Sequence, residues 1–233
     1  MKGLDYSSGR PDLKKAKSLG YGFVVRYLFA PTKGVTRIEA TAIRASGLGL
    51  VVVYEEYAGR AKEGTAAGVE DGKIALAFAR AIGFPETKPI YFAVDFQPTT
   101  AQLPVIVLYL RGVASVIGSN RVGVYGSFAV VEHCFALCAA RFFWQTYAWS
   151  GGKVSPHAHL LQYLNGQVVA GASVDLNESR QLDFGAWDAT VVAKPATPVP
   201  VVKPAVKPVV AKPTIHIMTG AEMLAWVKNL TKK

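Results

Sequence analysis

The sequence predicts an α/β protein, an irregular (β/α) barrel of about eight strands whose late helices are reduced, followed by a tail rich in proline and lysine. Three observations carry that expectation. Short β-branched apolar runs alternate with helical patterns through roughly the first 140 residues, the rhythm of a parallel sheet with both faces covered. Beyond that point strand-like runs follow one another with little helix between them. Finally, run after run ends on a carboxylate, an amide or a tyrosine, as expected where a barrel displays its loops at the C-terminal ends of its strands. A doubly wound open sheet is the alternative for the same alternation.

The elements can be justified in order. "KGLDYSS" reads as a short strand and "RPDLKKAKSLG" as a helix stopped by Gly20. "YGFVVRYL" is a strand, and "TRIEATAIRASG" a helix with Thr36 and Glu39 placed as a capping box. "LGLVVVYEE" is a strand, and "GVEDGKIALAFARAIG" a helix ending at Gly83 before Pro85. "KPIYFAVDF" is a strand. "TTAQLPVIVLYLRGVASVIG" is a helix with Pro104 near its first turn, where the missing N–H costs nothing. "RVGVYGS" is a strand, "FAVVEHCFALCAA" a helix, and "RFFWQTYAW", "AHLLQYL" and "ASVDLN" are the closing strands.

This barrel accounts for residues 1–190. Residues 191–213, "VVAKPATPVPVVKPAVKPVVAKP", hold six prolines and four lysines and read as an extended linker. Residues 214–233 read as one short helix, with Thr219 and Glu222 at its start and Met223, Trp226, Val227 and Leu230 at helical spacing.

Charge separates the same parts. Residues 1–190 carry 19 lysines and arginines against 15 acids, a net of +4, whereas residues 191–233 carry seven against one, a net of +6. A short basic tail is expected to be drawn to a polyanion such as an anionic wall polymer. The near-neutral body argues against nucleic acid as the main ligand. No apolar run approaches the roughly 20 residues of a membrane-spanning helix. Asp5 interrupts the N-terminus before any apolar core of a signal peptide could form, so synthesis in the cytoplasm is expected. Cys134 and Cys138, four apart with no matching ligand set, read as buried structural thiols. His157 and His159 lack a third ligand in their loop, and no metal is expected there.

Reading the strand ends gives the candidate site. Asp5, Glu55, Asp95 and Asp175 are the candidate catalytic carboxylates. Arg26, Tyr27, Glu56, Gln97, Tyr125, Gln145, Tyr147, Gln162 and Asn177 are the candidate substrate contacts around them. Carboxylates with amide and aromatic neighbours are what a carbohydrate site requires. One acid protonates the glycosidic oxygen, a second stabilises an oxocarbenium-like centre, amides bond hydroxyls and rings stack on sugar faces.

In this order, "KGLDYSS", "FVVRYL", "LVVVYEE", "IYFAVDFQ", "VGVYGS", "WQTYAWSGG", "LLQY" and "VDLN" resemble the glycoside-hydrolase-like domain once classed as a domain of unknown function, a relative of the family 25 lysozymes. The resemblance runs from Lys2 to about Trp187. Gly3, Asp5 and Ser7 match the family's Gly-x-Asp-x-Ser, and Asp175 matches an aspartate of its last strand. It implies a TIM-like α/β barrel with few late helices and an N-acetylmuramoyl-hydrolase type of activity on peptidoglycan, without metal or cofactor. Together with the basic tail it implies a monomeric bacteriophage endolysin that reaches the wall after holin-type release.

One stretch departs from the pattern. Asp95, Phe96 and Gln97 stand where the lysozymes have Asp-x-Glu, and a glutamine cannot donate a proton at a useful rate. The acid must then come from elsewhere, and Glu55 or Glu56 at the end of the third strand is nearest. Only one of the two can face the barrel axis, because successive strand residues point to opposite sides. Val51 and Val53 share the parity of Glu55, Val52 and Tyr54 that of Glu56, so the residues leave the choice open, with Glu55 preferred. The alternative function is a glycan- or wall-binding module on the same barrel that has lost hydrolysis.

Overall fold

In a computed structural model, described over residues 1–29 and 33–187, eight strands close into a barrel in the order β1 to β8, and the open-sheet alternative is set aside. The strands are β1 (Lys2–Asp5), β2 (Tyr21–Tyr27), β3 (Gly49–Tyr54), β4 (Ile90–Ala93), β5 (Val122–Gly126), β6 (Phe142–Thr146), β7 (Leu160–Val169) and β8 (Ala172–Ser179). Helices α1 (Leu13–Ser18), α2 (Arg37–Ala45), α3 (Thr65–Ile82), α4 (Leu103–Ile117) and α5 (Phe128–Ala136) fill the first five crossovers. The linker and terminal helix expected over 191–213 and 214–233 lie outside the described residues.

Local chemistry explains where the helices begin and stop. The Asp12 carboxylate accepts the Lys15 N–H at 2.9 Å to start α1. The Thr36 hydroxyl accepts the Glu39 N–H at 3.1 Å to start α2. The reciprocal half of that capping box does not form, because the Glu39 carboxylate is taken by Arg26 Nε at 2.8 Å and Arg10 Nε at 3.2 Å. Gly83, at φ 81°, ends α3 in the left-handed conformation that its missing Cβ permits.

The expectation that all strands run one way is corrected at the end of the chain. β1 to β7 pair in parallel, but β8 runs antiparallel to both β7 and β1. The cause is a two-residue turn, Ala170–Gly171, with φ 52° and 86°. Two positive φ values in succession match the twist of a tight hairpin and reverse the chain without a crossover helix. The β7–β8 hairpin is longer than its neighbours, and its pairing continues to Val169 and Ala172, past the level of Asp5 and Asp175.

Two layers of core follow from strand parity. Phe23, Val25, Val51, Val53, Tyr91, Ala93, Tyr125, Trp144 and Leu160 fill the barrel. Val24, Leu50, Val52, Tyr54, Ile90, Phe92 and Val124 face outward to the helices. Gly3 makes room for this interior, since a Cβ there would overlap the Phe23 ring. Phe184 plugs the end at which the strands begin, its ring tilted against that of Phe23 with centroids 4.8 Å apart and its carbonyl accepting the Tyr91 hydroxyl at 3.0 Å.

The cysteines differ from expectation. Cys134 is buried on α5, and burial pushes its thiol up to about 12. Cys138 is exposed, because α5 ends at Ala136 and the chain turns at Cys138 with φ 49°. The two thiols therefore do not share a helix face.

Candidate functional site

The interior parity that fills the barrel with Val51 and Val53 carries on past the strand end to Glu55. Its side chain is 9% exposed, while that of Glu56 is 37% exposed and pairs outward with Arg60 Nε at 3.0 Å. Arg60 is also bound by Glu63, Glu70 and the fully buried Asp71, so Glu56 belongs to an outer ion network and not to the rim. The choice left open by the sequence thus falls to Glu55 on geometry.

Asp5 ends β1 facing the axis and sits opposite Asp175 of β8 in the pairing register. Its Oδ2 accepts the Gln162 amide at 2.9 Å and the Asn177 amide at 2.7 Å. The same Gln162 Nε2 lies 3.4 Å from Asp175, whose other oxygen accepts the Gly166 N–H at 2.8 Å. The remaining valences of Gln162 are filled as well, since its Oε1 accepts the hydroxyls of Tyr125 and Thr146, each at 2.9 Å. Asn177 is oriented by the Trp144 indole N–H at 2.8 Å. A fully satisfied network of this kind fixes carboxylate positions in a way that loose surface groups cannot.

Electrostatics tie the four carboxylates together. Burial raises Asp5 to about 7, with the charge of Asp175 adding to the effect and the Gln162 and Asn177 amides and Arg26 opposing it. Glu55 is raised by burial and by Asp95, and lowered by Lys33, whose Nζ stands 3.8 Å from it. Asp95 is raised by burial and by Asp175, and Asp175 by burial. Tyr27 feels the charge of all of them. Its phenol is pushed up by burial and then by Asp5, Glu55, Asp95 and Asp175 in turn. The half-buried tyrosine thus shares the field of all four carboxylates.

Three sequence-chosen contacts are corrected, Arg26, Glu56 and Gln145. Arg26 is wholly buried in the outer layer, where it bonds Glu39, the Tyr6 carbonyl and the Lys33 carbonyl, so it has no surface for a ligand and instead holds the loop bearing Lys33. Glu56 points to Arg60. Gln145 faces outward and ties down the following loop through the Lys153 carbonyl and the Ser155 N–H, both at 2.8 Å. Gln97 is exposed beyond the end of β4, two residues after Asp95, where a substrate contact stays open to it. Asn177 and Gln162 serve the carboxylates from below. Tyr147 is 47% exposed on the rim. Lys33 and Thr146 were missed. The inward parity Thr146 shares with Trp144 was the signal for it, whereas Lys33 carried none beyond following a strand.

A cavity of about 730 Å³ lies at the other end of the barrel, between Phe135, Arg141, Phe142, His157, His159 and Asp183 among others. His157 stacks on Phe135, with centroids 3.4 Å apart, and His159 accepts the Phe143 N–H at 3.3 Å. None of the four carboxylates touches it.

An eight-stranded α/β barrel whose C-terminal rim gathers buried carboxylates, amides and tyrosines is the architecture of a glycoside-hydrolase-like protein. The family model of the Rv2525c-like, glycoside hydrolase-like domain matches residues 14–179, and the chain belongs to this family. It is 30% identical over 199 residues to the Mycobacterium tuberculosis (strain ATCC 25618 / H37Rv) protein named "Putative peptidoglycan hydrolase Rv2525c", a match covering 79% of this chain and 82% of that one. The crystal structure of the Mycobacterium tuberculosis Tat-secreted protein Rv2525c in complex with L-tartrate superposes with a TM-score of 0.76 at 30% identity, over 80% of this chain and 98% of the other. Two more distant barrels share the fold alone. The modular autolysin LytC of Streptococcus pneumoniae, in complex with a synthetic peptidoglycan ligand, has a TM-score of 0.57 at 16% identity, over 76% of this chain and 46% of that one. The Clostridium perfringens spore cortex lytic enzyme SleM has 0.57 at 10%, over 76% and 66%.

Proposed function

We propose that the chain is a peptidoglycan hydrolase, a lysozyme-like glycosidase in which Glu55 is the proton donor. The observation that carries the reading is the field that four carboxylates share at one tyrosine, with Glu55 and Asp95 each raised by burial and by the charge of another carboxylate. In the cleavage step Glu55 gives its proton to the glycosidic oxygen as the C–O bond breaks. Ionised Asp95 offsets the positive charge that develops on the anomeric carbon, and water completes the product while returning a proton to Glu55. Lys33 opposes the rise of Glu55, which keeps the group able to release its proton in the cleavage step before water restores it. Asp5 and Asp175, braced by Gln162, bind sugar hydroxyls at the back of the cleft. The name of the 30%-identical relative and the likeness of fold to LytC support the substrate class.

The finer reading, a monomeric phage endolysin acting on the wall after holin-type release, belongs to the same proposal and is supported by the basic, proline-rich tail, which would hold the enzyme near anionic wall polymers. The decisive experiment is clearing of purified cell walls in a gel overlay. Wild type should clear, and Glu55→Gln should clear ~10²–10⁴-fold more slowly while binding the same walls, the usual loss for a general acid. Equal clearing by the two proteins would overturn the assignment. Glutamine at position 97, where the family 25 lysozymes carry the Glu of Asp-x-Glu, favours a second reading, a wall-binding module without turnover, and binding by wild type without any clearing is the result that selects it.

A further inference from the structure

Residues 147–155, the loop after β6, are tied down from several sides. The Tyr147 N–H donates to the Gln162 carbonyl at 2.9 Å and the Ala148 N–H to the Thr146 hydroxyl at 3.2 Å. The Ser150 hydroxyl donates to the Thr146 carbonyl at 2.5 Å and accepts the Phe128 N–H of α5 at 2.9 Å. Gln145 holds the far side at Lys153 and Ser155. Inside this anchored loop Trp149 has φ 56°. A bulky side chain in the left-handed region is an outlier that its surroundings must impose, and glycine suits the position better. Glycines are at hand, since Gly151 and Gly152 take φ 59° and 74° just beyond.

Packing accounts for only part of the tryptophan there. Trp149 is 42% exposed, and Tyr147, two residues earlier, is 47% exposed. Neither ring has a stacking partner among the described residues. More than half of Trp149 is covered, yet a large apolar surface stays open on an unfavourable backbone, and strain held at a rim next to buried titratable groups points to a ligand. The location agrees, because Tyr147 is bonded to the backbone of Gln162, whose side chain holds Asp5.

We propose that Tyr147 and Trp149 form an aromatic platform that holds a sugar ring of the wall glycan beside the carboxylate cleft, a glycan subsite additional to the cleavage point. The inference rests on reading that cleft as a glycan site. The apolar C–H face of a pyranose lies flat on such rings, and a platform held by backbone hydrogen bonds loses little freedom on binding. Exposed rings buried only when a sugar arrives explain both the exposure and the strain.

The test uses the full chain with two probes, purified peptidoglycan sacculi in co-sedimentation and a soluble GlcNAc–MurNAc tetrasaccharide followed by tryptophan fluorescence. Trp149→Gly should still fold, because the relieved left-handed strain offsets part of the packing lost. It should nonetheless bind both probes about three- to tenfold more weakly, the range expected for one aromatic contact. Trp149→Phe should recover most of the affinity. Trp149→Gly binding within twofold of wild type, or no binding of either probe by wild type, would overturn the platform. Its failure is distinguishable from failure of the hydrolase reading. Unchanged binding by Trp149→Gly alongside loss of clearing in Glu55→Gln removes the platform alone, and Trp149-dependent binding without clearing by any variant removes hydrolysis alone.

Discussion

Asp5→Asn tests the buried carboxylate pair through stability, without recourse to catalysis. Asp5 titrates at about 7 in the folded barrel, against 3.8 for an ordinary aspartate. A raised pKa means that the folded state binds the proton more tightly than the unfolded chain. The stabilisation this confers is complete below the unfolded value and is lost as pH rises through the folded one. At 1.36 kcal/mol per unit, a rise of about three units costs on the order of 4 kcal/mol of stability by the time Asp5 is ionised. Asn has the same shape and can still accept the Gln162 and Asn177 amides, while its own amide can face Asp175. Urea unfolding at intervals from pH 4 to pH 8 reads the difference. Wild type should lose stability across that window. Asp5→Asn should lose much less, and should be the more stable protein at pH 8 by a few kcal/mol. Parallel pH profiles for the two proteins would show that Asp5 is not the titrating group and that its burial is not what raises it.

Gln97→Glu restores the Asp-x-Glu spacing of the family 25 lysozymes, yet residue 97 is exposed beyond β4, so clearing of walls should change by less than about threefold; a gain of tenfold or more would relocate the acid from Glu55. Removal of residues 191–233 takes away a net charge of +6 and should weaken wall binding several-fold more at 20 mM than at about 300 mM salt, because exposed lysines act through screened charge. An equal loss at both salt concentrations would remove the electrostatic role.

The barrel was legible because strands and helices keep different periods, and the inward carboxylates because they end apolar runs. Three features were not, each for a physical reason. β3 is buried on both faces, so Val51, Val52, Val53 and Tyr54 are apolar at both parities and cannot say which of Glu55 and Glu56 turns inward. The reversal of β8 hangs on Ala170 adopting φ 52°, whereas the familiar hairpin signal is Asn or Asp before Gly. Arg26 looked like a rim residue because its partner Glu39 is 13 positions away on the next helix, a pairing that exists only once β2 and α2 are packed. Gln145 and Trp149 share this difficulty, as what each does depends on loop backbone that no local pattern announces.

The reversed last strand also governs when the site can exist. Asp5 and its partner Asn177 are 172 residues apart in the chain, and Asp175 reaches Asp5 only when β8 slots between β7 and β1. Contacts at such separation form late, after most loop-closure entropy has been overcome. A nascent chain that has made β1 to β7 holds Glu55 and Asp95 but neither Asp175 nor the Asn177 brace on Asp5. The four-carboxylate arrangement is therefore complete only once synthesis passes residue 179 and the ends of the barrel meet.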